Sequence, residues 1–126
     1  MRFLKIFAVA AVISFGVFAC SRDNSRRGGI IIADSKSYEA SIFRQNCAVC
    51  HGAEASGKIV NGAQVPSLRI GDAAAKNEEE LYQQIAHGKL PMPGFENQLT
   101  EKEMRMMVKF IMHDLQGRDG DDQKQK

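Results

Sequence analysis

One stretch of this chain has the residue types and the spacing to hold a metal-containing cofactor. Cys47 and Cys50 are separated by two residues, and His51 follows directly. This arrangement is the attachment signature of c-type haem, in which each thiol adds across one vinyl group of the porphyrin and forms a thioether. The tight turn between the cysteines brings the histidine beneath the porphyrin plane, where a neutral imidazole is a good ligand for the iron.

Two other uses of a cysteine pair fit the sequence less well. A zinc site needs two further ligands, usually a second Cys or His pair. The remaining cysteine is Cys20, and His87 and His113 are not spaced for zinc. A thioredoxin-like dithiol normally lies beside a strand–helix–strand pattern, and no such alternation is visible. The motif therefore favours covalent haem attachment.

A candidate for a second iron ligand lies in the segment Leu90-Pro91-Met92-Pro93. A thioether is a soft, neutral ligand, and Met/His ligation is typical of cytochromes c. Because Pro91 fixes its own φ and Pro93 disfavours helical geometry in the residue before it, Met92 should lie in a stiff, non-helical loop. The alternative is that Met92 fills a gap in the core. Four other methionines fall at core spacing in a later helix, which leaves Met92 as the stronger candidate.

The elements that must position these groups begin with a short helix. Residues 37–46 place Tyr38, Ile42 and Phe43 on one side at helical spacing, which predicts a helix directly before the cysteines. Residues 54–64 show no periodicity and are predicted to form an irregular loop.

Two later helices have stronger signals. Asn77 and Thr100 are each followed three residues later by Glu, which is the capping-box pattern at the start of residues 78–87 and of residues 101–116. The last helix also carries a continuous apolar stripe. Its members are Met104, Met107, Val108, Ile111, Met112 and Leu115.

Both ends of the chain lie outside the predicted domain of residues 37–117. Residues 1–19 combine a basic start with an apolar run, as a signal peptide does; an uncleaved anchor helix is the alternative. Residues 20–36 have the composition of a flexible linker, although the three isoleucines at 30–32 are unusual there and could pack on the domain edge. Residues 118–126 are polar and are predicted to be a disordered tail.

The charge balance argues against a nucleic-acid partner. The chain has 126 residues and a formal net charge of +2. Without residues 1–19, 15 basic residues balance 15 acidic ones, and no basic stripe alternates with aromatic residues. A folded region this short usually needs a staple or a cofactor, and a covalently held haem supplies one.

The cysteine–histidine motif, the Pro-Met-Pro loop and the C-terminal helix together resemble a class I cytochrome c with a single haem. The resemblance implies an all-α cytochrome c fold, with three to four helices around one covalently attached haem c, and electron transfer rather than catalysis. It implies that Cys47 and Cys50 attach the haem and that His51 and Met92 are its axial ligands. By the same resemblance, a hydrogen bond from His51 to the carbonyl of Pro66 orients the imidazole.

The resemblance also has consequences for packing and partners. In the family the first and last helices cross beside the haem, which places Phe43 against Met107 and Phe110. The family often has glycine where this chain has Glu39, and Ala40 could take over the close approach. The partners implied are other redox proteins, which approach an exposed haem edge of a monomer through a small, transient interface.

The segment Val17-Phe18-Ala19-Cys20 resembles the lipobox of bacterial lipoproteins, although Phe18 is larger than usual there. We expect Cys20 to be acylated and to tether the domain to a membrane on the periplasmic side, because c-type haem attachment in the family takes place outside the cytoplasm. Cleavage near Ala19 that leaves a free thiol is the alternative.

Two other functions stay open. If Met92 does not bind the iron, or is easily displaced, the protein is a haem-based ligand sensor or a small peroxidase. It could also be a cytochrome subunit of a larger respiratory oxidoreductase. The absorption spectrum of the oxidised protein tests the first alternative, and co-purification from solubilised membranes tests the second.

Overall fold

The computed structural model describes residues 29–118, which form short helices and one small hairpin. The elements in chain order are α1 (Tyr38–Asn46), α2 (Ala48–His51), β1 (Lys58–Val60), β2 (Ala63–Val65), α3 (Asp72–Ala75), α4 (Glu78–His87), α5 (Glu101–Lys109) and a π-helical segment (Phe110–Leu115). The predicted signal peptide, Cys20 and residues 119–126 of the predicted tail lie outside the described residues. Between residues 29 and 118, no helix is both long and apolar enough to cross a bilayer.

Each of the three longer helices begins with a side-chain cap, and two of these caps, Asn77 and Thr100, were predicted from the sequence. The Ser37 side chain accepts a hydrogen bond from the backbone N–H three residues on and begins α1. Asn77 and Thr100 do the same for α4 and α5, and the side chains of Glu80 and Glu103 accept the N–H of their caps in return. Both capping boxes are therefore complete, and they satisfy donors that a helix start otherwise leaves unpaired.

The core lies between α1, α4 and the last helix. All six residues of the predicted apolar stripe are buried. Phe43 on α1 packs against Phe110, with ring centroids 6.3 Å apart and ring planes tilted by 46°. Ala40, next to the Glu39 that stands where the family often has glycine, is fully buried. The last helix changes from α to π geometry at Phe110, and the N–H of Gln116 donates to the Ile111 carbonyl five residues back.

The irregular loop expected at residues 54–64 contains an antiparallel hairpin, in which Lys58 pairs with Val65 and Val60 with Ala63. Its turn is Asn61-Gly62, with φ angles of 50° and 79°. Two positive φ angles are those of a type I′ turn, for which Asn-Gly is the preferred pair. The expectation failed because each strand has only three residues, too few for an alternating pattern to be visible. The fold is therefore mostly helical, as predicted, with one small hairpin in addition.

Residues 30–36, which we expected to belong to a flexible linker, are held against the domain. Ile32 is fully buried, and Ile30 packs partly buried on the same core. The N–H of Ile30 donates to the carbonyl of Asp114 over 2.9 Å. Ile31, between Ile30 and Ile32, is 60% exposed. Burial therefore alternates along the three isoleucines, as it does in an extended segment with one buried face. We call residues 29–33 the strap.

The domain also extends beyond its predicted C-terminal boundary. Arg118, assigned by its sequence to the tail, donates from its backbone N–H to the carbonyl of Met112 over 2.9 Å. Its guanidinium donates to the carbonyl of Lys76 over 2.7 Å. The single-turn helix α3, which ends one residue before Lys76, was not predicted from the sequence, because four residues carry too little periodicity.

Candidate functional site

The two cysteines and the histidine lie on and beside the single-turn helix α2. The N–H of Cys47 donates to the Phe43 carbonyl of α1 over 2.8 Å, and its own carbonyl accepts the N–H of His51 over 2.9 Å. Cys47 therefore ends one helix and begins the next. Both thiols are free and half-buried, and residues three apart on a helical turn lie next to each other.

The protonation states of these groups follow from their burial. Burial raises the pKa of the Cys47 thiol to about 11, and the neighbouring Cys50 adds to the rise. Burial lowers the pKa of His51, while its hydrogen bond to Pro66 acts in the opposite direction. At neutral pH, Cys47 is therefore a thiol and His51 is a neutral imidazole, which is the form that binds a metal.

The orientation of the imidazole is set by a backbone carbonyl. His51 is 7% exposed, and its Nδ1 lies 3.0 Å from the carbonyl oxygen of Pro66. Because a carbonyl can only accept, Nδ1 carries the proton and Nε2 keeps a free lone pair. Gly57 has a φ of +78°, and a Cβ there would lie 2.6 Å from the Val65 carbonyl oxygen and 2.9 Å from the carbonyl carbon of Pro66. This close backbone approach requires glycine.

A cleft of about 500 Å³, including its solvent-filled mouth, runs between the helices beside His51. Cys47, His51 and Met92, which lie up to 45 positions apart in the chain, all line it, whereas Cys50 is not part of the lining. The walls are otherwise apolar except for one amide, Gln84. They are formed by Leu68, Leu81, Ile85, Phe95, Leu99, Met107 and Ile111.

The Met92 loop is non-helical, as its two prolines predict, and two sets of backbone hydrogen bonds hold it in place. Lys89 and Met92 exchange backbone hydrogen bonds of 3.0 and 2.9 Å. Below them, the N–H of Phe95 donates to the carbonyls of Ile85 and Ala86 on α4, both over 3.0 Å. Met92 is half-buried and packs against the core, so the thioether is held at the edge of the cleft by its own loop.

Gln84 is a site residue that sequence reasoning missed. Its Nε2 donates to the Sδ of Met92 over 3.7 Å, within the distance expected for a weak hydrogen bond to a thioether. A half-buried glutamine on an amphipathic helix carries no distinguishing sequence signal. Gln84 lies one helical turn before the end of α4 and eight residues ahead of Met92. Its amide reaches the Met92 sulfur only because the Met92 loop folds back onto α4.

His87 and Arg69 do not line the cleft. The His87 side chain, five residues before Met92, is 58% exposed and pairs with Glu96 over 3.1 Å. The Arg69 guanidinium forms an ion pair with Glu54 over 3.2 Å. Among residues 29–118, no group of three or more His, Cys, Asp or Glu side chains is placed to hold a metal ion. The ligand set of a structural zinc site is thus not found in that part of the chain.

The residues around the cleft fit a haem. Two free thiols at the correct spacing, a neutral imidazole with a free Nε2, a thioether and apolar walls are the groups that covalent attachment and axial ligation require. The imidazole is also oriented by a carbonyl, which is typical of histidines that bind metals.

Comparison with known proteins agrees with this fit. Residues 39–111 match the protein family described as "Cytochrome C oxidase, cbb3-type, subunit III". The cbb3-type cytochrome c oxidase subunit FixP of Sinorhizobium medicae (strain WSM419) is 34% identical over 84 residues, which cover 58% of this chain but only 28% of FixP. Cytochrome c6 of Leptolyngbya boryana is 28% identical over 72 residues, covering 56% of this chain and 82% of the relative.

A solved structure, the KustC0563 c-type cytochrome, aligns with a TM-score of 0.49 at 23% identity. The alignment covers 63% of this chain and 94% of that structure.

Proposed function

This chain belongs to the c-type cytochrome family described as cbb3-type cytochrome c oxidase subunit III, and from that membership we propose that it is an electron carrier whose haem c is held by Cys47, Cys50, His51 and Met92. The single observation that carries the proposal is the meeting of a thiol, an imidazole and a thioether in one apolar cleft. Haem c, when bound, supplies a one-electron couple between ferric and ferrous iron.

Each of the four residues has a distinct role in this proposal. The sulfurs of Cys47 and Cys50 form the two thioether bonds. His51 Nε2 and Met92 Sδ would be the two protein ligands of the haem iron, which would leave no ligand position for a substrate. A methionine ligand raises the reduction potential, and the hydrogen bond to Pro66 makes the imidazole more basic. The apolar walls of the cleft would shield a bound haem from water.

The assignment of Met92 is tested on the purified holoprotein by an absorption spectrum and a redox titration. Met92→Ala should keep the haem attached, remove the far-red sulfur-to-iron charge-transfer band of the ferric protein and lower the potential. Met106→Ala is the matched control, because Met106 is half-buried on α5 and does not line the cleft. An unchanged spectrum and potential in Met92→Ala would mean that another residue is the ligand.

The assignment of the cysteines is tested by the double variant Cys47→Ala with Cys50→Ala. Without the two thioether bonds, the variant should not retain haem after denaturing gel electrophoresis. It should also lose most of its helical circular dichroism, because no haem then packs against the apolar walls of the cleft. Cys20→Ser is the control and should keep both. A double variant that is still fully helical would show that the core does not depend on the cofactor.

A second candidate function is that of a subunit in an oxidase complex. The family description and FixP, which is named as an oxidase subunit, favour it, although this chain spans little more than a quarter of the length of FixP. Co-purification of oxidase subunits with the tagged protein from mildly solubilised membranes would support it. Migration of the protein alone would support a free carrier that exchanges electrons with transient partners.

Two exposed apolar side chains lie close in sequence to residues of the site. Val49, between the two haem cysteines, is 68% exposed, and Leu90, two residues before Met92, is 95% exposed. A contiguous apolar patch marks a protein contact, and we propose that these two side chains contribute to one. We propose that redox proteins dock at this surface of a monomeric domain.

We also propose that the protein is exported to the periplasmic side of a bacterial membrane and tethered there through a lipid on Cys20. The lipobox-like segment and the extracytoplasmic location of c-type haem attachment support this. Mass spectrometry of the mature N-terminus should find an acylated Cys20, and an unmodified thiol would contradict the tether without affecting the electron-carrier proposal.

A further inference from the structure

A network of hydrogen bonds connects the strap, residues 29–33, to the loop that follows His51. The Glu54 carboxylate accepts the N–H of Ile32 on Oε2 over 2.9 Å and the N–H of Ala33 on Oε1 over 3.0 Å. These hydrogen bonds and the nearby Arg69 lower the pKa of Glu54, against the effect of its partial burial. The carboxylate is therefore charged at neutral pH and holds the strap with both oxygens.

Arg69 connects the same carboxylate to two backbone carbonyls. Its Nε donates to the Glu54 carbonyl over 2.6 Å, and its Nη2 donates to the Ile30 carbonyl over 2.7 Å and to Glu54 Oε2 over 3.2 Å. The side chain is only 18% exposed. A planar guanidinium can donate in several fixed directions at once, which a lysine ammonium cannot do. Arg69 thus links the strap, through the Ile30 carbonyl, to the backbone and side chain of Glu54.

The network reaches Pro66 through the backbone. The carbonyl of Ala55 accepts the N–H of Leu68 over 2.9 Å and the Oγ of Ser67 over 3.2 Å. Ala55 is fully buried and has a φ of 59°, a left-handed conformation that a non-glycine residue keeps only when its surroundings impose it. Hydrogen bonds therefore join residues 54–55 to residues 67–69. Pro66 lies between the end of the hairpin and residue 67, so the network fixes the backbone directly after it.

We propose that Glu54 and Arg69 are positioning residues that hold the Pro66 carbonyl against His51 and so contribute to the reduction potential of the haem iron. This inference rests on the proposed ligation of the haem by His51. A hydrogen bond from Nδ1 makes the imidazole a stronger donor, which favours ferric iron over ferrous iron because the ferric ion carries more charge. A carbonyl that is free to move away weakens this bond and raises the potential.

The sign of the shift separates positioning from a direct effect of charge. Glu54→Gln removes a negative charge and Arg69→Gln removes a positive one, so a purely electrostatic effect shifts the midpoint potential up in the first variant and down in the second. Loss of positioning shifts both upward. Lys58→Gln is the control for Arg69→Gln, since it makes the same charge change on β1 without touching the network. An upward shift in Arg69→Gln with no upward shift in the control is the expected result.

A variant without any charge change gives an independent test. Ala33 is the second residue of a turn in which the Ser35 N–H donates to the Ile32 carbonyl over 3.3 Å, and proline is favoured at that position. Ala33→Pro deletes the N–H that binds Glu54 Oε1 and leaves every charge in place. It should shift the potential upward by less than Arg69→Gln does, and it keeps the proposal testable if Arg69→Gln does not fold.

A second measurement reads the hydrogen bond itself. In NMR spectra of the holoprotein, the Nδ1 proton of His51 should exchange with solvent faster in Glu54→Gln, Arg69→Gln and Ala33→Pro than in the wild type. Folded, haem-loaded variants with unshifted potentials, or with a downward shift in Arg69→Gln, would overturn the positioning role alone. A wild-type protein without the spectrum of a thioether-attached haem would overturn the proposed function and this inference together.

Discussion

The burial of Ile32 makes the strap an integral part of the domain, and substitution of this residue should destabilise the protein. Its side chain is fully buried, whereas the neighbouring Ile31 is 60% exposed. Replacing a buried isoleucine by alanine costs about 2–5 kcal/mol of unfolding free energy. The strap lies at the edge of the core and can partly relax, so we expect about 2–3 kcal/mol for Ile32→Ala, in the lower part of that range.

Chemical denaturation of the holoprotein measures this cost from the transition midpoints, provided that the slopes agree. Ile31→Ala is the matched control, with the same chemical change one residue away, and should stay within about 0.5 kcal/mol of wild type. Ile32→Val should cost about 1 kcal/mol. Equal costs for Ile31→Ala and Ile32→Ala would refute the packing of the strap and leave it as a linker.

Two further predictions concern the last helix and the edge of the cleft. Hydrogen bonds from the Tyr38 hydroxyl, and to a smaller extent from Thr100, lower the pKa of Glu103 from 4.5 to about 2. The charged Glu103 carboxylate therefore stabilises the folded protein fully above pH 4.5, and this stabilisation is lost as the pH falls toward 2. Glu103→Gln should therefore have a lower thermal midpoint than wild type at pH 7, and a gap that does not narrow by pH 3 would contradict this. Gln84→Leu removes the donor to Met92 Sδ and should let the ferric holoprotein bind added imidazole more tightly in a spectrophotometric titration, whereas Gln83→Leu, on an exposed position of α4, should not.

Much of the architecture was readable because its signals are local. A helix cap such as Thr100 acts within one turn of its own backbone, and the apolar stripe that follows needs only a regular helix to reach the core. The hairpin also has a local signal in Asn61-Gly62, but strands of three residues are too short to show the alternation that identifies a hairpin. For residues 30–36 the linker-like composition hides the packing, and the unusual isoleucines indicate only that the segment could pack on the domain edge. Which of them are buried depends on the surface that covers Ile30 and Ile32.

The sequence by itself determined the chemistry of this protein, because two thiols and an imidazole within five residues, and a thioether between two prolines, are properties of short segments. Tertiary structure decided which other groups form hydrogen bonds with the imidazole and the thioether. The Pro66 carbonyl that orients His51 is a backbone atom with no side-chain signature, and it came from the sequence only through a family resemblance. Gln84, Glu54 and Arg69 are ordinary polar residues whose partners lie between 8 and 39 positions away. Hydrogen-bond partners at such separations are selected by the packing of the core, which no short segment encodes.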